Sequence, residues 1–424
     1  MLKIRIDRVK SSNFILFIFL YLLIFISLVF VVRYEYAFVK ANLIYIISYS
    51  NSAIAFVCVL ISALILTFIK IKDFLYSVSS LILIFFVLPS AALFSIIEEI
   101  DSRILISHVL LLICVILIGQ IKIKLKTKKL EVSQSIFILK IILIAGMVPF
   151  VVLYTPYINL RNLLLIDVYE TRALIESTIT NVYTSYTYSW FNKFIIPCLL
   201  VFGIYYRNRI TIIICIVSLI FLFLCGAHKA VFFGLIFMFL LYKYDYLFKI
   251  NYLLKILIGI SLLALSMSLA FKSDFLMTLS IRRALLLPGL IDVIYFDFFN
   301  GNFLYWSESL NGLFMDYPFK MSHSYVIGEK YFNDPSWGAN NGIISDGFMN
   351  FGMTGVIINI VIISFYFSLL NQLNISPKFF GLFFLFVILI LSSSLTTVLL
   401  THGGMVLVLL SFFFMKNTNE QMTH

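Results

Sequence analysis

The sequence predicts an all-α, polytopic integral membrane protein. Hydrophobic residues make up 62% of the 424 and charged residues 12%, the mean hydropathy is +1.07, and the apolar residues fall in continuous, helix-length runs. A water-soluble domain must cover its exterior with polar groups and has no use for so much apolar surface. In a bilayer the exterior is itself hydrocarbon. A membrane β-barrel would show alternating segments of about ten residues. Continuous apolar backbone in lipid has to satisfy its own polar groups, and the α-helix does so within one segment.

Taken in order, the apolar runs predict roughly 12 spans at 14–32, 43–69, 74–97, 104–120, 136–153, 192–206, 210–226, 230–242, 251–271, 347–370, 379–399 and 402–415. The first run is longer than a signal-peptide core and has no small-residue cleavage site after it, so it is expected to remain as a span. Charge sets the orientation. With the N-terminus in the cytoplasm, the cytoplasmic segments and span ends hold 19 of the 31 basic residues and only five acids. The cluster Lys122, Lys124, Lys126, Lys128 and Lys129 then serves as a topology anchor beside anionic lipid. Both termini are expected in the cytoplasm. The formal charge of +11 needs no nucleic acid to explain it. Cys58, Cys114, Cys198, Cys215 and Cys225 are scattered through apolar runs without metal-ligand spacing and read as small buried side chains.

Two long segments, 154–191 and 272–346, fall on the outer side and divide the chain into spans 1–5 (1–153), the first loop, spans 6–9 (192–271), the second loop, and spans 10–12 (347–424). A transporter concentrates ionisable groups inside its spans. Here the polar residues are concentrated in the outer loops, which favours an enzyme acting on a substrate presented at the membrane surface. The first loop carries Arg161, Asp167, Glu170, Arg172 and Glu176 at helical spacing among apolar residues, the pattern of an interfacial helix. It ends in TSYTYSW (184–190), where Tyr186 and Trp190 are either an aromatic belt or ring faces for sugars.

The second loop opens with Arg282–Arg283. Planar forked donors suit phosphate oxygens, although pairing with Asp274, Asp292 or Asp297 is the structural alternative. Asp297, Glu308 and Asp316 follow, with Trp306 among them, and one of these carboxylates could orient or deprotonate a hydroxyl. His323 is the only histidine in the long loops and is a candidate general base, or a hydrogen-bonding group of the loop. The stretch 328–355 is rich in Asn, Gly and Pro. Asp346 there resembles a helix cap, and Gly347, Gly352 and Gly355 suit close helix packing.

These residues carry a resemblance. The run Arg-Arg…Pro-Gly…Tyr-x-Asp-Phe-Phe (282–299), the run Asn-Gly-x-x-x-Asp-Gly-Phe…Phe-Gly-x-x-Gly (341–355) and Gly-Ala-His-Lys-Ala (226–230), within a many-span architecture with two large outer loops, resemble the Wzy-type O-antigen polymerases of Gram-negative bacteria. The architecture matches over nearly the whole chain, the local pattern over about 60 residues. The resemblance implies a GT-C-like glycosyltransferase that joins undecaprenyl-pyrophosphate-linked oligosaccharide units at the periplasmic face. Membrane lipid and a chain-length regulator are then its partners. It further implies Arg282 and Arg283 at the pyrophosphate, His323 as base with Glu308 or Asp297 next in order, and Arg172, Lys229, Tyr186, Trp190, Trp306 and Asp346 around the substrate. A pyrophosphate leaving group can be managed by arginines, so no metal, nucleotide sugar or other cofactor is expected. The related O-antigen ligases share the architecture. A lipid-oligosaccharide flippase belongs to the same pathway but predicts short loops, and a non-catalytic scaffold predicts freely replaceable loop arginines.

Overall fold

A computed structural model describes residues 2–32, 45–122, 130–164, 166–179, 181–226, 236, 239–309 and 311–416; within it the side chains of 2–6, 169, 172 and 176 are not described. Among the described residues no strand forms, and the only pairings of that kind are the isolated bridges Tyr45–Ile97 and Ile375–Lys416. The chain is an all-α membrane protein. Eight described helices are long and apolar enough to cross a bilayer, and Ser102–Ile118, Pro377–Ser392 and Gly404–Phe413 are shorter apolar helices. These eleven match the predicted runs in order. The remaining run, 230–242, lies largely outside the described residues, as does the Lys124–Lys129 part of the basic cluster.

The chain forms two compact units, residues 1–123, 245–371 and 387–395 in the first and 124–244, 372–386 and 396–424 in the second. In the first unit α1 is Leu2–Ser27, continued by a π-helical turn, α2 is Tyr49–Phe68, α3 is Asp73–Ile96 and α4 is Ser102–Ile118. Every residue from Phe74 to Ile97 is buried, so α3 is the core helix of this unit. A helix apolar on all sides needs such a site, and α1, α2, α4 and the later helix Tyr246–Phe271 supply it. Amides make the polar joints. Asn251 Nδ2 donates to Asn13 Oδ1 (2.8 Å), and Asn13 Nδ2 donates to Tyr76 Oη (2.9 Å). By contrast, α2 presents Ile54, Val57 and Ile61 outward, each about half exposed, a stripe for hydrocarbon to cover.

In the second unit α5 is Val132–Tyr154, α6 is Val168–Thr178, α7 is Val182–Tyr205 and α8 is Arg209–Gly226. Phe150 of α5 lies among the rings of Tyr154, Tyr183, Tyr188 and Phe191. The hydroxyls of Tyr183 and Tyr188 donate to the Gly146 and Leu222 carbonyls. The TSYTYSW segment is therefore not loop. It is the first half of α7, ten residues ahead of the predicted span start, and its inward tyrosines stitch α7 to α5 and α8. Ile144, Val148 and Val151 of α5 and Ile213, Val217 and Ile220 of α8 form exposed apolar faces.

Back in the first unit, α9 is Tyr246–Phe271, followed by α10 (275–298), α11 (His323–Phe332) and α12 (Ile343–Gln372). The 272–346 stretch is thus largely structured rather than an open loop. Helix α10 passes through the π-helical stretch Thr278–Leu286, and its residues from Leu285 to Phe296 are mostly buried against α3 and α4. Its Asp292 and His108 of α4 form a buried pair, Oδ2 to Nε2 at 3.1 Å. Next along the chain, α13 (Phe380–Ser392) is divided between the two units and α14 (Gly404–Phe413) belongs to the second.

Helix α12 is not one straight rod. Phe351 (φ −143°) and Gly352 (φ 60°, ψ −146°) break it, and the arm 343–350 folds back along 353–372. Gly347 lies against Gly355: a Cβ on the first would stand 2.6 Å from the carbonyl carbon of the second. Asn359 Nδ2 donates to the Ile343 carbonyl (2.9 Å), a pairing impossible between residues sixteen apart on a straight helix. The glycine reading of the sequence holds, but as packing between two arms of one hairpin. Gly352→Ala is expected to cost about 1–3 kcal/mol, since its backbone region is essentially glycine-only and the new Cβ would stand 2.8 Å from Phe303 Cζ. A detergent melt of the variant checks this; an unchanged melting temperature would overturn the hairpin turn.

Candidate functional site

The fold-back creates a docking edge. The short arm ends at Asn350 with carbonyls that have no helical partner, as every helix end does. The segment after α10 supplies the donors: Leu304 N–H to Met349 O (2.9 Å) and Tyr305 N–H to Asn350 O (3.2 Å). Trp306 N–H adds a bond to Asn350 Oδ1 (2.8 Å). Tyr305 and Trp306 take left-handed backbone conformations (φ 52° and 58°), a strain that these bonds and the ring contacts with Phe351 offset. The turn delivers Glu308 two residues later.

Glu308 Oε2 is hydrogen-bonded to His323 Nδ1 at the start of α11. The other ring nitrogen, Nε2, lies 3.4 Å from Asn341 Oδ1. With Nδ1–H donated to Glu308, a neutral ring keeps its lone pair on Nε2, beside the Asn341 amide. The Tyr295 ring stands edge-on to the imidazole at 5.9 Å, its own hydroxyl donating to Ala339 O (2.8 Å). Asn341 is 5% exposed, whereas the His323 and Glu308 side chains are 16% and 29% exposed, so the dyad is backed by protein and open on one side.

Electrostatics fits this geometry. Burial lifts the Glu308 carboxyl, but the hydrogen bond and charge of His323 outweigh it and leave the group below its ordinary value. Burial and the Glu308 charge push the Tyr317 hydroxyl up, so it stays a donor. The O–H of that tyrosine and Asn341 Nδ2 are buried donors that meet no acceptor. A buried donor left unpaired costs about 1–3 kcal/mol, and two beside one acid–base pair mark a place for ligand oxygens. A ligand hydroxyl presented there meets a base backed by a carboxylate.

The structure places the other sequence candidates apart from this centre or in different roles. Asp297, at the C-terminal end of α10, accepts from Tyr331 Oη (2.6 Å). Asp316 is exposed. Trp306 packs its ring on Phe351 and lies in the turn leading to Glu308. Asp346 is not a cap at the helix start. It is buried in the short arm and accepts from Leu395 N–H, Asn359 Nδ2 and Asn350 Nδ2. Arg282 is half-buried and Arg283 exposed on the π-helical stretch of α10. Twelve residues separate Arg283 from Tyr295, about 18 Å along a helix axis, so the arginines stand well away from the part of α10 that touches His323. The acids named as alternative partners are engaged elsewhere: Asp274 with Ser268, Asp292 with His108, Asp297 with Tyr331.

In the second unit Tyr186 is exposed on α7, and Trp190 Nε1–H donates to Leu400 O (2.7 Å). Arg172 lies on α6 with its side chain not described, and Lys229 lies outside the described residues. Sequence reasoning missed Asn341 and Tyr317. Asn341 sat inside a motif read as turns, and a tyrosine among many aromatics gave no signal of its own. Comparison with protein-family models, with curated proteins and with solved structures finds no match to the chain.

Proposed function

We propose that this protein is an O-antigen polymerase: an inner-membrane glycosyltransferase, GT-C-like with about 12 spans and both termini in the cytoplasm. It joins undecaprenyl-pyrophosphate-linked oligosaccharide units at the periplasmic face. The observation that carries the reading is the His323–Glu308 dyad with two unspent donors beside it, on segments outside the apolar spans of a membrane protein. Such a site suits a substrate that is polar at one end and anchored in lipid at the other.

In the proposed step a sugar hydroxyl of the acceptor unit attacks the anomeric carbon of the donor glycan. The new C–O bond forms as the bond to pyrophosphate breaks, and the electron pair leaves with the pyrophosphate. His323 takes the hydroxyl proton, and Glu308 holds the ring and balances its positive charge. Tyr317 and Asn341 orient sugar oxygens. At about 18 Å along α10, Arg282 and Arg283 do not share one bond with His323. They serve to collect the pyrophosphate headgroup of a carrier.

A lipopolysaccharide banding gel tests the reading. A strain lacking the gene is expected to show core bearing a single repeat, with the ladder restored by the wild-type chain. Core bearing no repeat would replace the reading with that of a ligase or flippase, and a full ladder without the gene would sink it.

A further inference from the structure

We propose that the turn Asn311–Met315 is a lipid anchor, whose Leu313 and Phe314 side chains enter the boundary between headgroups and acyl chains beside the His323–Glu308 dyad. Leu313 is 90% and Phe314 84% exposed, and Met315 is open next to them. On a membrane-spanning helix such exposure is ordinary, because hydrocarbon covers it. This turn lies outside every described helix long enough to cross a bilayer. Single apolar residues on a wet surface need no explanation. Three in a row at the tip of an ordered turn mark a surface that something covers.

The turn is held in shape by its own backbone. Ser309 and Asn311 N–H both donate to the Trp306 carbonyl (3.0 Å), Gly312 N–H to Ser309 O (3.4 Å), and Phe314 and Met315 N–H both to Asn311 O (3.0 Å). Asn311 Nδ2 ties it back to Tyr305 O (3.2 Å). Gly312 lets the chain close, for a Cβ there would stand 2.7 Å from Ser307 O. Backbone groups already bonded to one another can approach hydrocarbon without stranding a donor.

Position names the occupant. The chain leaves α10 at Asn300, whose Oδ1 accepts from Arg103 Nη2 (3.4 Å), and Arg103 is the second residue of α4. Trp306, where the turn starts, packs on Phe351 and bonds to Asn350 at the fold-back end of α12. From that end the long arm 353–372 runs about 30 Å, enough to cross hydrocarbon. The turn thus starts from the ends of two apolar helices, at headgroup level. Its flanks suit an interface: exposed Lys320 and Tyr325 can reach headgroups, and exposed Asp316 keeps the entry shallow. A leucine and a phenylalanine offer on the order of a few hundred Å², far short of the about 1,200–2,000 Å² of a specific protein interface. Lipid fits the tip, and a protein partner does not. Glu308 lies in the same bonded stretch, so the anchor fixes the dyad at the membrane surface.

The test uses the full-length chain in phosphatidylcholine nanodiscs, with Phe314→Trp as the probe, Leu313→Trp as a second, and the wild-type emission subtracted. Ile61→Trp, on the outward stripe of α2, is the reference for a lipid-facing position. Both tip probes are expected to emit at shorter wavelength than tryptophan in water. They should lose most of their added emission in lipid brominated near the headgroup end of the acyl chain, and little of it to aqueous iodide. Loss to iodide with none to brominated lipid would put the tip in water and overturn the anchor. Loss to neither would mean that protein covers the tip, a second copy included, and would overturn it equally. The measurement needs no glycosyl transfer, so a full ladder in the deletion strain would sink the polymerase reading and leave the anchor standing.

Discussion

Replacing His323 with Ala is expected to reduce glycosyl transfer by about 10²–10⁴-fold, the usual contribution of a positioned general base, and to leave the protein folded. The imidazole lies on the open side of its site, its ring touching Tyr295 by an edge, so little packing is lost. Glu308→Gln is expected to cost less, because the amide keeps a hydrogen bond to Nδ1 while losing the charge that balances the protonated ring. The double variant should lose little more than His323→Ala alone, since Glu308 acts through the histidine. Polymerisation by the purified chain on lipid-linked units measures all three, and a His323→Ala rate equal to wild type would remove the dyad from the chemistry. The depressed Glu308 carboxyl adds a pH signature. A carboxyl whose folded value lies below its unfolded one contributes stability that is complete above the ordinary glutamate value, about 4.3, and is lost as pH falls through the folded value. Melting temperatures should therefore hold from neutrality to about pH 5 and decline below about pH 4, with that part of the decline absent in Glu308→Gln.

The apolar runs were legible because a span needs only length and composition, and the described helices follow them in order. Two features were not. Helix α10 reads as loop because Arg282, Arg283, Asp292 and Asp297 interrupt its apolar run, yet it is buried in protein and pairs Asp292 with His108. Hydropathy scores contact with lipid and is blind to a partner in another helix. The fold-back of α12 hides for the opposite reason. Residues 347–370 read as one apolar span, and only Gly352 within it marks the turn that Asn359, Gly355 and Leu395 make stable. The same limit governs the site. His323 and Glu308 were singled out by residue type and loop position, but their meeting depends on Leu304, Tyr305 and Trp306 docking on the arm end.

That dependence makes Asp346 the residue whose loss should damage the fold most. Its side chain is buried, and its two oxygens accept three bonds: Asn350 Nδ2 (3.2 Å) on Oδ1, with Asn359 Nδ2 (3.2 Å) and Leu395 N–H (3.1 Å) on Oδ2. Asp346 thereby joins the short arm of α12 to its long arm and to the segment after α13. Asp346→Asn keeps the size but turns one acceptor into a donor that must face another donor. Hydrogen bonds to a charged partner are worth about 1.5–3 kcal/mol each, and a stranded buried N–H costs about 1–3 kcal/mol. The variant is therefore expected to lose at least about 3 kcal/mol on these terms, read as a lower midpoint of unfolding in mixed micelles. Activity should fall before the fold does, because Asn350 is bonded to Asp346 at one end and to Trp306 N–H at the other. Loosening that amide frees the turn that carries Glu308. Asn350→Ala tests the coupling: a large loss of polymerisation with a small change in midpoint fits a residue that positions the dyad. If Asp346→Asn unfolds at the wild-type midpoint, the carboxylate is not what holds the two arms together, and the hairpin must rest on Gly347 and Gly355 alone.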